Sequence, residues 1–232
     1  MKILLILTTI LIYAKAINPI SLPLTGFEVN HTYLNGKKDT YKIERVINKN
    51  CLNIAITADE FSDENIEKNI PKECKKTLIT VTGIIQPLVI NQEIKTLAEI
   101  EVLDFIYNKS SKEPELYALV DTRKKSWFNQ QTIPSAINVP FEDIKYDEDF
   151  KEEFLKAYSN LGIKVVDIEK NIYDFSNAKT VVFFCNAPWC PLSSKTIEYF
   201  LKLGYPSSKM FWYRGGMADW SSMSLSVTKE IK

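Results

Sequence analysis

The segment that constrains this chain most is Val181-Val182-Phe183-Phe184-Cys185-Asn186-Ala187-Pro188-Trp189-Cys190-Pro191-Leu192-Ser193-Ser194. Four apolar residues in a row, without the polar alternation of a half-exposed strand, read as a central strand buried on both faces. A tight loop follows, and then a helix over Ser194–Leu203, with Ile197, Phe200 and Leu201 on its inner face and Gly204 as its cap. Cys185 therefore stands at the carboxyl end of a buried strand, where open α/β sheets place their ligands. Loop amides and the positive end of the following helix would face its sulfur. Both favour the anion, which lowers the thiol pKa and makes Cys185 a nucleophile.

The surrounding sequence agrees with an α/β fold. Leu97, Ile100, Leu103 and Phe105-Ile106 fall close to helical spacing. Tyr117–Val120 is a short apolar strand ending at Asp121, and residues 150–161 form a helix with Phe154, Leu155 and Tyr158 on one face. Met210–Tyr213 is a further strand, ended by Gly215-Gly216. Strands alternating with helices from Gln92 onward predict a mainly parallel sheet flanked by helices. Residues 162–179 fit neither period and read as an insertion. Upstream lies a small β-rich module. Tyr41–Ile47 alternates with period two, Leu52–Thr57 and Leu78–Ile85 read as strands, and Asp59–Ile70 reads as a short helix stopped near Pro71.

The first residues stand apart from both regions. Met1-Lys2 gives a positive start, Ile3–Tyr13 is apolar except for Thr8 and Thr9, and Ala14-Lys15-Ala16 has small residues at −3 and −1 of a cleavage site. These are the parts of a secretory signal peptide cut after Ala16. The apolar run is short for a bilayer span, so no stable membrane anchor is expected. The expected organisation is a leader at 1–16, the β-rich module at 17–90 and an α/β domain at 91–228. Removing Lys2 and Lys15 from 29 basic residues leaves 27 against 29 acidic ones, which offers nucleic acid no basic footprint.

Export through such a leader implies an oxidising compartment, the periplasm, where disulfides persist. The four cysteines, Cys51, Cys74, Cys185 and Cys190, all lie in the exported chain and allow three pairings. Cys51 and Cys74 bracket the small module. A bridge there would close a loop of about 24 residues and supply on the order of 3 kcal/mol. A structural staple is the expected role, with a redox pair as the alternative. One histidine, His31, and two separated cysteine pairs do not make a zinc set, so no metal or other cofactor is expected.

Three motifs in order carry a resemblance. The strand Leu119-Val120 runs into Asp121-Thr122-Arg123, followed by Ile133-Pro134-Ser135-Ala136-Ile137-Asn138-Val139-Pro140. The strand ending in Cys185, its loop and its helix come next. Last, Leu203-Gly204-Tyr205 leads to Tyr213-Arg214-Gly215-Gly216-Met217-Ala218-Asp219-Trp220. Over roughly residues 92–226 the chain resembles the rhodanese family of sulfurtransferases. The resemblance implies a rhodanese-like fold and makes Cys185 the catalytic cysteine. It would take sulfane sulfur from a small donor (polysulfide or thiosulfate) as a persulfide and pass it to a thiol or cyanide-like acceptor, or exchange it with a protein persulfide. Asn186, Ala187, Pro188, Trp189, Cys190 and Ser193 would form the sulfur cradle, although Pro188 has no N–H to offer. Asp121 and Arg123 would pin the loops around the site. Arg214 would attract an anionic donor or lie as a solvated charge, and Trp220 would be core.

The chain also departs from the family. Between Cys185 and Ser193 there is no Arg or Lys, whereas rhodaneses acting on thiosulfate place a cation there. Polysulfide or a protein persulfide becomes the better donor. Related cysteine phosphatases need an arginine about six residues after the cysteine, and position 191 is proline, which sets that activity aside. Gln131 and Ser135 stand where the family often has glycine. Cys190 is an addition with three readings: it resolves a Cys185 persulfide and releases sulfide, it shields Cys185 from overoxidation, or it packs at the helix start without touching Cys185. Besides sulfur transfer, the sequence leaves open a thiol–disulfide redox protein using Cys185 and Cys190, and a catalytically silent module that binds a partner.

Overall fold

The computed structural model describes residues 27–32, 38–43, 84–223, 225, 227 and 228. Phe27–Thr32 (β1) and Lys38–Ile43 (β2) pair as an antiparallel ladder that sets His31 opposite Asp39. The expected strand over residues 41–47 overlaps β2. The leader, the strand Leu52–Thr57, the helix Asp59–Ile70, most of the strand Leu78–Ile85 and the Cys51–Cys74 pair lie outside the described residues.

The main body begins with β3 (Lys95–Leu97) and α1 (Glu99–Phe105), which runs on into a wider π turn over Ile106–Ser110. Next come β4 (Tyr117–Asp121), α2 (Lys125–Gln130), β5 (Ala136–Asn138) and α3 (Lys151–Asn160). A small ladder of β6 (Lys164–Asp167) and β7 (Ile172–Asp174) follows. The chain then returns through β8 (Thr180–Phe184), α4 (Leu192–Leu203), β9 (Met210–Tyr213) and α5 (Gly216–Ser222). Five strands form one sheet in the order β3-β9-β8-β4-β5, and every neighbouring pair in it is parallel.

The apolar run of β8 has the position its composition demands. Val181, Val182, Phe183 and Phe184 are all fully buried. Because side chains alternate across a strand, Val181 and Phe183 enter one core and Val182 and Phe184 the other. The first core is closed by Phe154, Ala157 and Tyr158 of α3 and by Ile197 and Phe200 of α4. The second is closed by Val102 and Phe105 of α1 and by Met217 and Trp220 of α5. Burying each large apolar side chain contributes roughly 1.5–3 kcal/mol, so this strand anchors both layers.

Some expectations shift in the structure. Leu97, placed on a helical face by its spacing, instead ends β3. The Glu101 carboxylate accepts the N–H of Ala98 (3.0 Å), and the helix starts only after it. The helix after Cys185 starts at Leu192, two residues earlier than its pattern suggested, and ends as expected at Gly204 with φ 96°. Residues 162–179 are not formless: they carry the antiparallel ladder β6–β7, interrupted by a bulge between Val165 and Asp167. Val165 and Tyr173 pack from it onto the first core.

Ser135 occupies a left-handed backbone conformation, φ 72°, just before β5. A side chain there costs about 1–2 kcal/mol, while glycine costs about 0.5–1 kcal/mol in unfolded-chain entropy. Ser135→Gly is therefore expected to stabilise the protein by about 0.5 kcal/mol, read as a higher urea midpoint at unchanged m value.

Candidate active site

Chain direction sets the location of the site. From β4 the chain moves outward to β5, whereas from β8 it moves the other way to β9. The crevice where connections diverge lies at the carboxyl ends of β4 and β8, the usual ligand position in such sheets. Asp121 and Phe184 are register partners there, and the next residues are Thr122 and Cys185. The N–H and hydroxyl of Thr122 both donate to the Phe184 carbonyl (3.1 and 2.8 Å). The strand end that presents Cys185 is thereby fixed to its neighbour.

Asp121 and Arg123, at the end of β4 and just beyond it, form an ion pair. Both are withdrawn from water, at 0% and 2% exposure. Arg123 Nε donates to both Asp121 oxygens and its Nη2 to Oδ2 (2.6 Å). Thr132 Oγ1 donates to Oδ2 (2.9 Å), and Arg123 Nη2 also reaches the Gln131 carbonyl. Arg123 Nη1 extends to Asn186 Oδ1 (3.3 Å), tying the pair to the residue after Cys185. Asn138 Nδ2 donates to the carbonyls of Asp121 and Arg123, drawing in the end of β5.

A second support comes from α5. The N–H groups of Met217 and Ala218 donate to the carbonyls of Cys185 and Asn186 (3.0 and 2.8 Å). Gly216 makes this approach possible. It has φ 58°, and a Cβ there would collide with the Cys185 carbonyl. Gly216, the second of the two glycines before Trp220, is thus explained by the cysteine loop it touches. Trp220 itself is core, at 3% exposure.

Cys185 and Cys190 are joined by a disulfide, with Cα atoms 6.2 Å apart, well inside the range that bridging requires. Both are almost fully buried, at 2% and 4%. Of the proposed cradle, Asn186 and Ala187 lie buried beside Cys185, while Pro188 and Trp189 are half-buried at the loop tip. The N–H of Cys190 donates to the Ala187 carbonyl (2.8 Å), so this amide is turned into the loop's own turn. Ser193 faces the interior, where its Oγ accepts from Trp212 Nε1 (3.0 Å). The disulfide removes one of the three readings of Cys190, that of a thiol out of reach of Cys185.

The sequence did not foresee the strap. Ile84 and Gln86 donate their N–H groups to the carbonyls of Trp189 and Pro188 (both 2.9 Å), laying residues 84–87 across the cysteine loop. Gln86 is buried, and its Oε1 accepts from Ser194 Oγ (2.6 Å) at the start of α4. Arg214, expected to attract an anion or lie in solvent, instead donates to the carbonyls of Gln86 (2.8 Å) and Pro87 (2.9 Å) and clamps the strap. Its charge also acts on Asp219, whose carboxyl is raised chiefly by burial and then by Glu99, with Arg214 pulling the other way. The available signal was a lone glutamine inside the apolar stretch Ile84–Ile90, though its partners lie far along the chain. Among the described residues no cluster of His, Cys, Asp or Glu could hold a metal, and no helix is long and apolar enough to cross a membrane.

Two substitutions test this frame. Asp121→Ala leaves Arg123 buried without its partner and is expected to cost about 3–5 kcal/mol, measured by urea unfolding. Arg214→Ala unclamps the strap with little effect on the core. In the reduced protein it is expected to speed alkylation of Cys185 and Cys190 by a small maleimide; an unchanged rate would show that the strap does not govern access.

The profile of the rhodanese-like domain matches residues 104–223, just over half of the chain. No curated protein matches it. Among solved structures, the chain is similar to the BH2092 protein from Bacillus halodurans at 20% identity, with 59% of this chain and 77% of that one covered and a TM-score of 0.38. It is also similar to a thiosulfate sulfurtransferase from Pseudomonas aeruginosa at 15% identity, with 61% of this chain and 21% of that one covered and a TM-score of 0.40. A third is a rhodanese with anions from E. coli, at 21% identity, 49% and 98% coverage and a TM-score of 0.30. With Cys185 at the end of a central parallel strand and the profile spanning that strand, its loop and its helix, the chain belongs to the rhodanese-like domain family.

Proposed function

We propose that this protein is a periplasmic sulfurtransferase or persulfide carrier whose working group is the Cys185 thiolate. The observation that carries the reading is the placement of Cys185 at the crevice between β4 and β8, held by Thr122, Asn186 and the α5 amides. In the reduced enzyme the thiolate attacks the sulfane sulfur of a donor. A bond forms between Cys185 Sγ and that sulfur, the donor's sulfur–leaving-group bond breaks, and the leaving group departs with the electron pair. The persulfide then yields its outer sulfur to a thiol or cyanide-like acceptor and restores the thiolate.

Charge narrows the donor class. Arg123 is neutralised by Asp121, Arg214 is engaged with backbone carbonyls, and the loop from Cys185 to Ser193 carries no cation. A dianion such as thiosulfate gains little here, because desolvating it is costly without a paired charge. A protein persulfide, or an organic polysulfide without a second charge, suits the site better. The leader-like segment Met1–Ala16 supports a periplasmic setting. The Cys185–Cys190 bond favours a second reading, a thiol–disulfide redox protein that exchanges electrons without binding sulfane sulfur.

Intact-mass measurement separates these readings. The reduced Cys190→Ser protein, which holds Cys185 as a free thiol, is expected to become one sulfur atom heavier with polysulfide or an aromatic thiosulfonate, and much more slowly with thiosulfate. The gain should vanish when Cys185→Ser is added. No gain from any donor would overturn the sulfur-transfer reading and leave the redox or partner-binding roles.

A further inference from the structure

We infer that Cys190 is a second catalytic residue, which attacks the Cys185 persulfide and makes hydrosulfide the product of this site. The inference rests on the persulfide reading above and names the acceptor that acts first. Four observations carry it. The two sulfurs are already bonded across a Cα separation of 6.2 Å, so the loop accommodates the product of the attack. Both cysteines are nearly inaccessible, at 2% and 4%, so an internal thiol meets the persulfide more readily than a dissolved one. Cys190 lies directly before Pro191, the N-cap of the twelve-residue α4, whose positive end favours its thiolate. The loop is also short of donors for a long-lived persulfide anion. Pro188 and Pro191 have no N–H, and that of Cys190 is taken by Ala187.

The chemistry balances. The Cys190 sulfur attacks Cys185 Sγ, the inner sulfur of the persulfide. The Cys185–Cys190 bond forms, the bond to the outer sulfur breaks, and the outer sulfur leaves with the electron pair as hydrosulfide, taking the one proton that the persulfide and Cys190 hold between them. The sulfane sulfur is reduced by two electrons, and the two cysteine thiols are oxidised to the disulfide. A dithiol reductant returns both thiols and closes the cycle. The strap fits this order of events, because Ile84 and Gln86 hold the carbonyls of Trp189 and Pro188, inside the ring that the disulfide closes.

The experiment uses reduced full-length protein freed of reductant and one equivalent of an aromatic thiosulfonate. Transfer from this donor releases a sulfinate, so hydrosulfide can come only from the later step. Wild type is expected to release one hydrosulfide per chain and to become two hydrogens lighter. Cys190→Ser and Cys190→Ala are expected to gain one sulfur atom and to lose hydrosulfide release by about 100-fold or more. A stable one-sulfur gain in wild type without hydrosulfide would overturn the role of Cys190 while leaving the persulfide carrier intact. Equal hydrosulfide release from wild type and both variants would overturn it too. No sulfur gain in either variant, with both folded by circular dichroism and wild type inert, would instead remove the persulfide reading on which the inference rests.

Discussion

The Asp121 carboxylate is a full charge out of contact with water, and the site exists because its compensation is nearly complete. Arg123, Thr132 and the Arg123 backbone N–H satisfy its oxygens. The donors come from the loops that follow β4 and α2, and Arg123 passes the restraint on to Asn186 beyond β8. A buried pair of this kind yields little net stability, since desolvation cancels most of the attraction. It does exclude alternatives: any loop arrangement that separates the partners strands a charge. The cysteine loop therefore inherits its position from an interaction that contains no sulfur.

Backbone carbonyls complete the frame. The carbonyls of Phe184, Cys185 and Asn186 are met by Thr122, Met217 and Ala218 respectively. Buried carbonyls without partners are costly, and here the partners come from two separate places, the turn after β4 and the start of α5. That requirement explains Gly216, where any side chain would block the approach. It also shows why three motifs far apart in sequence form one site. The Asp-x-Arg turn, the cysteine loop and the Gly-Gly helix start are three sides of one hydrogen-bonded cage.

Much of this was legible in the sequence because it rests on local pattern. The unbroken run Val181–Phe184 announced burial on both faces, and Met210–Tyr213 and Gly204 were located from apolar run and cap chemistry alone. Asp121, Arg123 and Cys185 were visible at strand ends. What escaped depends on tertiary geometry. The β6–β7 strands are only three to four residues long and are broken by a bulge, so no period emerges. Whether Cys190 reaches Cys185 turns on the path of four loop residues, which spacing does not specify. Arg214 carried an obvious charge, yet its partners are main-chain oxygens of Gln86 and Pro87, which bear no sequence signature.

The strap gives the upstream segment a part in the chemistry. A rhodanese-like site that hands sulfur to dissolved acceptors needs an open loop tip. Here Ile84 and Gln86 occupy the carbonyls of that tip, Ser194 fixes Gln86 from the helix start, and Arg214 fixes it from just beyond β9. These contacts remove an arginine from anion binding and cover the loop in one step. Both effects favour an acceptor already inside the loop and leave a neighbouring thiol as the nucleophile best placed to act. A site that is closed, neutral and equipped with its own second thiol is suited to reducing sulfane sulfur within the loop, with electrons supplied afterwards through an exchangeable disulfide.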